Sequence, residues 1–249
     1  EYRRQRQMCI RDRLQKIDED AQVLMRELAI RKGASPSNIK SQIGQDLFVL
    51  YSFHWKQGGY FVEFGATNGI DLSNTYLLER DFNWAGILAE PAKIWQADLL
   101  LNRSAAIDFD CVWSKSGEIV NFTVAPEAEY STISSFIKGD GHASARNHGK
   151  SYPVNTISLN DLLVRHNAPA KIDYLSIDTE GSELEILEAF DFDKYAISVI
   201  TCEHNFSSQR SKIYDLLSAN GFIRVFEGFS RWDDWYIHPQ NIAMNRTTV

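Results

Sequence analysis

Cysteine is scarce in this chain, and long apolar runs are missing. The three cysteines of the 249 residues, Cys9, Cys111 and Cys202, are odd in number and lack the spacing of a metal site. We therefore expect reduced thiols, as in a cytoplasmic protein. No apolar run approaches the length that spans a bilayer, and the polar start does not resemble a signal peptide, so we expect no transmembrane segment.

Positive charge is also in short supply. The chain holds 26 Lys and Arg residues against 33 Asp and Glu residues, a formal net charge of -7. The balance is uneven, because residues 1–33 carry nine basic and six acidic side chains, which leaves -10 for the remainder. An acidic body of this kind argues against nucleic acid as a partner and suits a small, neutral or cationic ligand.

The most informative stretch is an apolar run that leads into a glycine turn. Residues 60–64 predict a buried strand, Gly65 and Gly69 bracket the turn, and residues 72–80 predict a helix. A strand, a glycine turn and a helix form the first unit of an open α/β sheet that binds a nucleotide-like cofactor. Without a Cβ, the two glycines permit a sharp turn and close approach of a ligand to the backbone.

The N-terminal segment, residues 1–34, is predicted to be a helix with an apolar heptad seam. The seam consists of Ile10, Leu14, Ile17, Ala21, Leu24 and Leu28. A helix that docks on its own domain and a homo-oligomer seam both fit this pattern. Gly33 and Pro36 end the helix, so we expect the main domain to span residues 35–249.

In the main domain, predicted strands alternate with helices. We therefore expect a mainly parallel, twisted α/β sheet, with an antiparallel edge formed by the last two strands. The third strand is predicted to run unbroken over residues 105–113, and residues 118–124 are predicted to add a hairpin. Residues 126–153 show no periodicity and are rich in Ser, Gly, His and Lys. We interpret them as a substrate lid, although an insertion without chemistry is also compatible with the pattern.

Acidic residues end several predicted strands. Glu63, Glu90 and Asp178 each follow an apolar run, and Glu203 precedes His204 at the end of another. A partly buried charge is costly unless it is paired, so the repetition indicates a function. Because parallel strands end at one edge of a sheet, we expect these side chains to converge on a ligand.

These segments resemble the FkbM family of S-adenosylmethionine-dependent methyltransferases. The resemblance rests on residues 62–69, 73–75 and 88–91 and on the Ile-Asp-x-Glu-Gly-x-Glu signature at residues 177–183, and it extends over about residues 41–204. It implies a Rossmann-like class I methyltransferase fold and O-methylation, often of a sugar hydroxyl. It also implies S-adenosylmethionine as cofactor and a small-molecule or glycan acceptor.

The resemblance further implies a cofactor site. Glu63 and the glycine turn would hold the methionine part, Glu90 the ribose, and the end of the third strand the adenine. The full set of cofactor-binding candidates is Gln42, Glu63, Gly65, Ala66, Thr67, Asn68, Gly69, Asn74, Glu90, Asp110, Cys111, Val112 and Asp178.

Methyl transfer to a hydroxyl needs in-line placement and a group that takes up the proton. We expect His204 to be the general base, because a neutral imidazole titrates in the useful range, and Asp178 and Glu180 to orient the acceptor. A structural role of His204 at a strand end is the alternative. Asp178, Glu203 and His204 could instead bind Mg²⁺ or Mn²⁺.

Two other functions are compatible with parts of the sequence. A nicotinamide-dependent oxidoreductase would use a similar sheet, but Gly65-x-x-x-Gly69 is not the fuller dinucleotide pattern. A non-catalytic domain could keep the fold and recruit partners through its heptad helix. Intact acids at every strand end argue against that second alternative.

Overall fold

The computed structural model describes residues 21–136 and 148–244 of the chain. The strands in these ranges are β1 (Tyr60–Phe64), β2 (Ala85–Ala89), β3 (Ala106–Asp108), β4 (Cys111–Trp113), β5 (Ile119–Val124), β6 (Thr132–Ile133), β7 (Lys150–Ser158), β8 (Lys171–Ile177), β9 (Ala196–Glu203), β10 (Ile223–Val225) and β11 (Asp233–Ile237). The helices are α1 (residues 21–31), α2 (Gln45–Ser52), α3 (Tyr76–Phe82), α4 (Gln96–Asn102), α5 (Leu159–Arg165), α6 (Glu183–Glu188), α7 (Arg210–Ala219) and α8 (Pro239–Met244).

The larger sheet has seven strands in the order β10-β11-β9-β8-β1-β2-β3. Neighbours from β9 to β3 are parallel, whereas β11 is antiparallel to both β9 and β10. The antiparallel strand is therefore second from the edge. This arrangement confirms the Rossmann-like, mainly parallel sheet that the sequence predicts, and it brings the carboxyl ends of β1, β2, β8 and β9 to one edge.

A second sheet, in the order β4-β7-β5-β6, covers part of that edge. The predicted strand over residues 105–113 is divided between the two sheets, because the chain turns where the N–H of Asp110 donates to the side chain of Asp108 (2.9 Å). Part of the proposed lid also belongs to the second sheet, since residues 132–133 form β6 and residues 150–153 open β7. Of that proposed lid, residues 137–147 lie outside the described ranges.

Strand β1 separates two apolar clusters by the alternation of its side chains. Val62 and Phe64 pack on one face with β8, β9 and α5, whereas Phe61 packs on the other with α2 and α3. Glu63 must then share the face of Phe61, where Arg103 stacks 5.6 Å from the Phe61 ring. The alternation therefore sends one acidic side chain from β1 into a face that carries a buried cation.

Helix α1 docks on its own domain through only one of its faces. Ala29 is fully buried, Met25 packs against the same apolar cluster, and the Gln22 side chain donates to the carbonyl of Ile43 (3.2 Å). Leu24, a member of the predicted heptad seam, is 66% exposed. Of the seam residues in the described ranges, Leu24 is thus exposed, whereas Ala21 and Leu28 are half-buried. Residues 1–20, which contain the first half of the seam, lie outside the described ranges. Within those ranges no helix has the length and apolar character needed to cross a membrane.

Candidate active site

A cavity of about 740 Å³ opens at the carboxyl ends of the four central parallel strands. Phe64 of β1, Ala89 of β2, Asp178 after β8 and Glu203 of β9 all contribute to its wall. Its volume lies within the range of about 300–1,000 Å³ that is usual for small-molecule sites. Of the residues predicted from sequence, the following line it: Gln42, Glu63, Gly65, Thr67, Asn74, Glu90, Cys111, Val112, Asp178, Glu180 and Glu203.

Glu63 organises the wall of the cavity. Its carboxylate accepts from the N–H of Asn74 (2.7 Å) and from the hydroxyls of Ser73 (3.0 Å) and Thr75. The guanidinium of Arg103, which is fully buried, lies 3.7 Å from the same carboxylate. These contacts engage both oxygens of Glu63, so the carboxylate holds the segment before α3 in place.

Asn74 presents an unpaired acceptor. Its side-chain nitrogen donates to the hydroxyl of Ser176 (2.9 Å), but its Oδ1 is buried and has no hydrogen-bond partner among the described residues. An unsatisfied buried polar atom costs about 1–3 kcal/mol. Since Asn74 lines the cavity, a donor on a bound ligand would satisfy this atom.

Glu90 is a buried acid at the end of β2. One of its oxygens accepts from the N–H of Thr67 (3.0 Å) and the other from the N–H of Ala92 (2.7 Å). Burial raises the pKa of Glu90 to about 7, although those two hydrogen bonds lower it, and the charge of Asp178 raises it further. The carboxylate is held rigidly at the cavity wall. Its remaining lone pairs can accept hydrogen bonds from the two hydroxyls of a diol.

The residues of the glycine turn are divided between the cavity wall and the layer behind it. Gly65 has a φ of +73°, and it lines the cavity. Ala66, Asn68 and Gly69 lie behind the wall: Ala66 is buried in the core, the Asn68 side chain caps the turn through the N–H of residue 70, and Gly69 packs against Arg103. These three predicted residues shape the turn and do not line the cavity.

Two of the three residues predicted to flank the adenine belong to β4 and line the cavity. Cys111 and Val112 line it, and burial together with the charges of Glu90 and Asp110 raises the pKa of the Cys111 thiol to about 12. Asp110 does not line the cavity, because its side chain accepts from the guanidinium of Arg165 (2.7 Å). Cys111 is thus a neutral, apolar element of the wall.

Three carboxylates meet in the same cavity. Asp178, Glu180 and Glu203 each offer an oxygen within 4.8 Å of the others. Burial raises the pKa of Asp178 to about 6, while a hydrogen bond from Glu203 lowers it. The pKa of Glu203 is raised well above its ordinary value, first by burial and then by the charges of Asp178 and Glu180. Burial and the neighbouring carboxylates thus raise the pKa of both groups, and Asp178 and Glu203 titrate as a pair.

His204 points away from this cluster. Its Nδ1 accepts from the N–H of Phe206 (2.9 Å), and its Nε2 donates to the carbonyl of Asp233 (3.1 Å). Burial lowers its pKa, so the ring is neutral. With both ring nitrogens engaged, and no contribution to the main cavity wall, His204 has no free lone pair for proton abstraction. Glu180 takes the place that the sequence assigned to His204 beside Asp178 and Glu203.

The second sheet holds the loop that carries Glu180. The hydroxyl of Thr132, which is fully buried, donates to the carbonyl of Glu180 (2.9 Å). Phe136 packs against Gly181, where a Cβ atom would lie 3.2 Å from the Phe136 Cβ. The side chain of Asn205 donates to Glu180 (3.3 Å) from the other side. Two segments far apart in sequence thus hold Glu180, one at its backbone and the other at its carboxylate.

Aromatic side chains around the cavity were not predicted as site residues. Tyr130, Phe206 and Trp232 all line it, and Phe206 is 72% exposed. The sequence signals for them are the aromatic loop before β11 for Trp232, the position of Phe206 after the Glu203-His204 strand end, and the proposed lid that contains Tyr130. Of the proposed lid side chains, Ser131 lines the cavity, whereas Lys138, His142 and Arg146 lie outside the described ranges.

The wall fits a nucleoside with an amino-acid tail. Glu90 matches a ribose diol, and the unpaired Oδ1 of Asn74 matches an ammonium group. Gly65 leaves bare backbone between them, and Val112 with Cys111 offers an apolar surface for a base. These groups together are consistent with S-adenosylmethionine, and the agreement rests on several residues and not on one.

Comparison with known proteins agrees with this geometry. A model of the family described as Methyltransferase FkbM domain matches residues 63–227, about two thirds of the chain. A search of curated proteins found no match.

Solved methyltransferase structures give weaker matches. A precorrin-6y C5,15-methyltransferase from Geobacter metallireducens is 11% identical with a TM-score of 0.39, covering 83% of this chain and 93% of its own. TrmK of M. capricolum, in complex with S-adenosyl-homocysteine, is 14% identical with a TM-score of 0.35. The match covers 76% of this chain and 66% of the TrmK chain. A ribosomal protein L11 methylase from Lactobacillus delbrueckii subsp. bulgaricus is 9% identical with a TM-score of 0.39, covering 82% of each chain.

At these identities and TM-scores the structural likenesses carry no information about substrate or residue roles. The family match is decisive because it spans well over half of the chain and includes Glu63 near the end of β1, the acids at the ends of β2 and β9, and the Asp178–Glu183 segment. The protein belongs to the FkbM methyltransferase domain family and is an S-adenosylmethionine-dependent methyltransferase.

Proposed function

We propose that the protein methylates a hydroxyl group of a sugar, in a free glycoside or a glycoconjugate. The observation that carries the proposal is the Asp178–Glu203 pair, a rigid proton acceptor in the same cavity as the cofactor-type residues. A hydroxyl is a poor nucleophile at neutral pH. A nearby base that removes its proton is therefore specifically needed for this acceptor class.

The cofactor would bind along the wall from Asn74 to Val112. Glu90 would accept from the ribose hydroxyls, and Asn74 Oδ1 would accept from the ammonium group. Gln42, which is exposed at the cavity, would contact the methionine part. Glu63 would act indirectly, because it holds the backbone of Asn74 in place.

S-adenosylmethionine supplies an electrophilic methyl group on a sulfonium when bound. Asp178 would take the proton of the acceptor hydroxyl, and the oxygen lone pair would form the new bond to carbon while the carbon–sulfur bonding pair stays on sulfur. Glu203 would stabilise the Asp178 carboxylate by donating to it. Glu180 would orient the acceptor, since the contacts of Thr132 and Asn205 hold it rigidly.

A divalent cation is the alternative use of the three carboxylates. Their oxygens, which lie within 4.8 Å of one another, suit the hard ions Mg²⁺ and Mn²⁺. His204, the third ligand expected from sequence, would not take part because its ring nitrogens are engaged. Activity that survives EDTA supports the base, and activity that EDTA abolishes and Mg²⁺ restores supports the ion.

The test compares Asp178→Asn with Glu203→Gln. Methyl transfer to a panel of glycosides would be followed by mass spectrometry, with the methylated position located by NMR. Loss of a general base costs about 10²–10⁴ in turnover, and we expect a loss of that size in Asp178→Asn. We expect a smaller loss in Glu203→Gln, whose amide still donates to Asp178. Equal turnover of Asp178→Asn and the wild type, or methylation at nitrogen or carbon, would contradict the proposal.

We also propose that the protein pairs with a second copy through its N-terminal helix. The exposed Leu24 side chain supports this, because Leu24 belongs to the heptad seam and the docking of α1 leaves it uncovered. The sequence continues the same seam through Leu14 and Ile17. A cytoplasmic location remains a prediction from the cysteine content.

A further inference from the structure

The Phe206 side chain lines the cavity but is not buried by the fold. It is 72% exposed, and its ring meets the His204 ring edge-on with the centroids 5.2 Å apart. A single exposed apolar residue on an open surface needs no explanation. At the wall of a cavity of ligand size, however, an exposed aromatic ring offers apolar contact area to a molecule that enters.

The backbone that carries this ring is held in an unfavourable conformation. Asn205 and Phe206 have φ values of +42° and +55°, in the left-handed region that is costly for residues with a Cβ atom. The N–H of Phe206 donates to His204 Nδ1 (2.9 Å). The N–H groups of His204 and Asn205 donate to the carbonyl of Trp232 (2.9 and 3.1 Å). Strained backbone of this kind is concentrated at functional sites, so the fold fixes a ring that it does not cover.

The neighbours of Phe206 connect it with the acidic cluster. The side chain of Asn205 donates to Glu180 (3.3 Å), the carboxylate proposed to orient the acceptor. Trp232, whose carbonyl anchors the strained segment, is half-buried and also lines the cavity. The exposed ring therefore adjoins the part of the cavity in which the acceptor is proposed to react.

A pyranose ring matches an exposed aromatic face. Its hydroxyls radiate from the rim, whereas its faces carry mainly C–H groups. Burying one such face against an aromatic ring removes apolar surface of both partners from water. Equatorial hydroxyls of a stacked sugar would point sideways, so that one of them can reach a neighbouring carboxylate. An open-chain alditol has similar hydroxyls but no flat apolar face.

We propose that Phe206 is the stacking platform of the acceptor site, and that the acceptor is a sugar in ring form bound through an apolar face of its pyranose ring. This rests on the proposed function and narrows its substrate class. The contact is non-covalent, so the bonds made and broken remain those of hydroxyl methylation. Because the contact is equally present before and during methyl transfer, it sets the affinity for the acceptor and not the rate of the chemical step.

The first experiment measures binding by NMR titration to protein saturated with S-adenosylhomocysteine. The probes are the methyl pyranosides of glucose, galactose and mannose, each compared with its alditol: sorbitol, galactitol and mannitol. We expect the best-bound pyranoside to bind at least about tenfold more tightly than its alditol, as burial of one face of an aromatic ring would give. Equal affinities of pyranosides and alditols would overturn the proposal.

Phe206 variants locate the effect. Phe206→Ala should weaken binding of that pyranoside about tenfold and change alditol binding by less than about twofold, whereas Phe206→Trp keeps an aromatic face and should retain the preference. Phe226→Ala is the matched control. Phe226 has the same φ of +55° and is 46% exposed, but it does not line the cavity and its ring packs against Phe48, Phe229 and Trp235. Unchanged pyranoside binding in Phe206→Ala, or equal losses in both alanine variants, would contradict the assigned position.

A turnover assay separates this inference from the function on which it rests. The same probes are offered with S-adenosylmethionine, and methylated products are quantified by mass spectrometry. Phe206→Ala should raise KM for the pyranoside about tenfold and leave kcat within about twofold. Pyranoside methylation with an unchanged KM would overturn the inference alone. A wild type that binds S-adenosylhomocysteine but neither binds nor methylates any pyranoside would overturn the inference together with the proposed sugar acceptor.

Discussion

A Cβ atom on Gly65 would lie 2.2 Å from the carbonyl oxygen of Asp178. The turn after β1 and the acidic loop after β8 are therefore in direct backbone contact, and the absence of a side chain at residue 65 permits it. This contact links the segment proposed to hold the cofactor with the residue proposed to accept the proton. A shift of one would displace the other.

Gly65→Ala should disrupt both segments. The new Cβ overlaps Asp178, and the φ of +73° disfavours any side chain, so we expect a loss of about 1–3 kcal/mol from overpacking in addition to backbone strain. Gly117→Ala is the matched control, since Gly117 has a φ of +76° but no described atom near its Cβ position. Chemical denaturation should show a clearly larger loss for Gly65→Ala, together with weaker S-adenosylhomocysteine binding. Equal losses of unfolding free energy in the two variants would mean that the contact between residue 65 and Asp178 does not contribute to stability.

Glu90→Gln should weaken cofactor binding and flatten its pH dependence. A hydrogen bond to a charged group contributes about 1.5–3 kcal/mol, roughly a 10- to 100-fold change in Kd. In the wild type, the pKa of about 7 means that Glu90 takes up a proton as the pH falls, so Kd should rise below that pH. Calorimetry with S-adenosylhomocysteine between pH 6 and 8 checks both effects. The exposed Asp98→Asn is the control, and wild-type affinity in Glu90→Gln would remove the ribose role.

Turnover should depend on the ionisation of Asp178. Its pKa is raised to about 6 and it acts as a base only when ionised, so the logarithm of kcat/KM should fall with unit slope below that pH. The measured value belongs to the Asp178–Glu203 pair and not to one residue. Glu203→Gln keeps a neutral donor beside Asp178, so the acid limb should persist in that variant. A profile without an acid limb near pH 6 would argue against this base.

His204→Ala should reduce stability more than catalysis. The substitution leaves the N–H of Phe206 and the carbonyl of Asp233 without partners, a cost of about 1–3 kcal/mol. For a chain of this size that lowers Tm by roughly 2–4 °C per kcal/mol. Turnover of the folded variant should fall far less than the ~10²–10⁴ of a lost base. A variant with wild-type Tm and abolished turnover would restore the base role that the sequence predicts.

Leu24→Glu should convert a dimer into a monomer. A charge at an exposed seam position opposes pairing of two helices but leaves the docking face at Met25 and Ala29 intact. Val23→Glu is the matched control, because Val23 is 58% exposed yet lies outside the seam. Light scattering after size-exclusion chromatography measures the mass. A wild-type monomer, or dissociation by both variants, would contradict the proposed pairing.

The local sequence determined the architecture of this protein. The apolar run before Gly65, the helix cap at Ser158 and the acids that follow β2 and β8 depend on neighbours within a few residues, so their patterns can be interpreted without a structure. The convergence of those acids also follows from sequence, because parallel strands end at one edge.

Only the tertiary structure decided which of those residues face the cavity. His204 and Glu180 both follow predicted strands, yet both ring nitrogens of His204 bond to Phe206 and Asp233. Glu180 instead lines the cavity, and Thr132 bonds to its backbone carbonyl. The unpaired Oδ1 of Asn74 and the split of the third strand likewise depend on partners far along the chain. Residue type and spacing fix what a side chain can do chemically, but long-range hydrogen bonds determine which lone pairs remain free to do it.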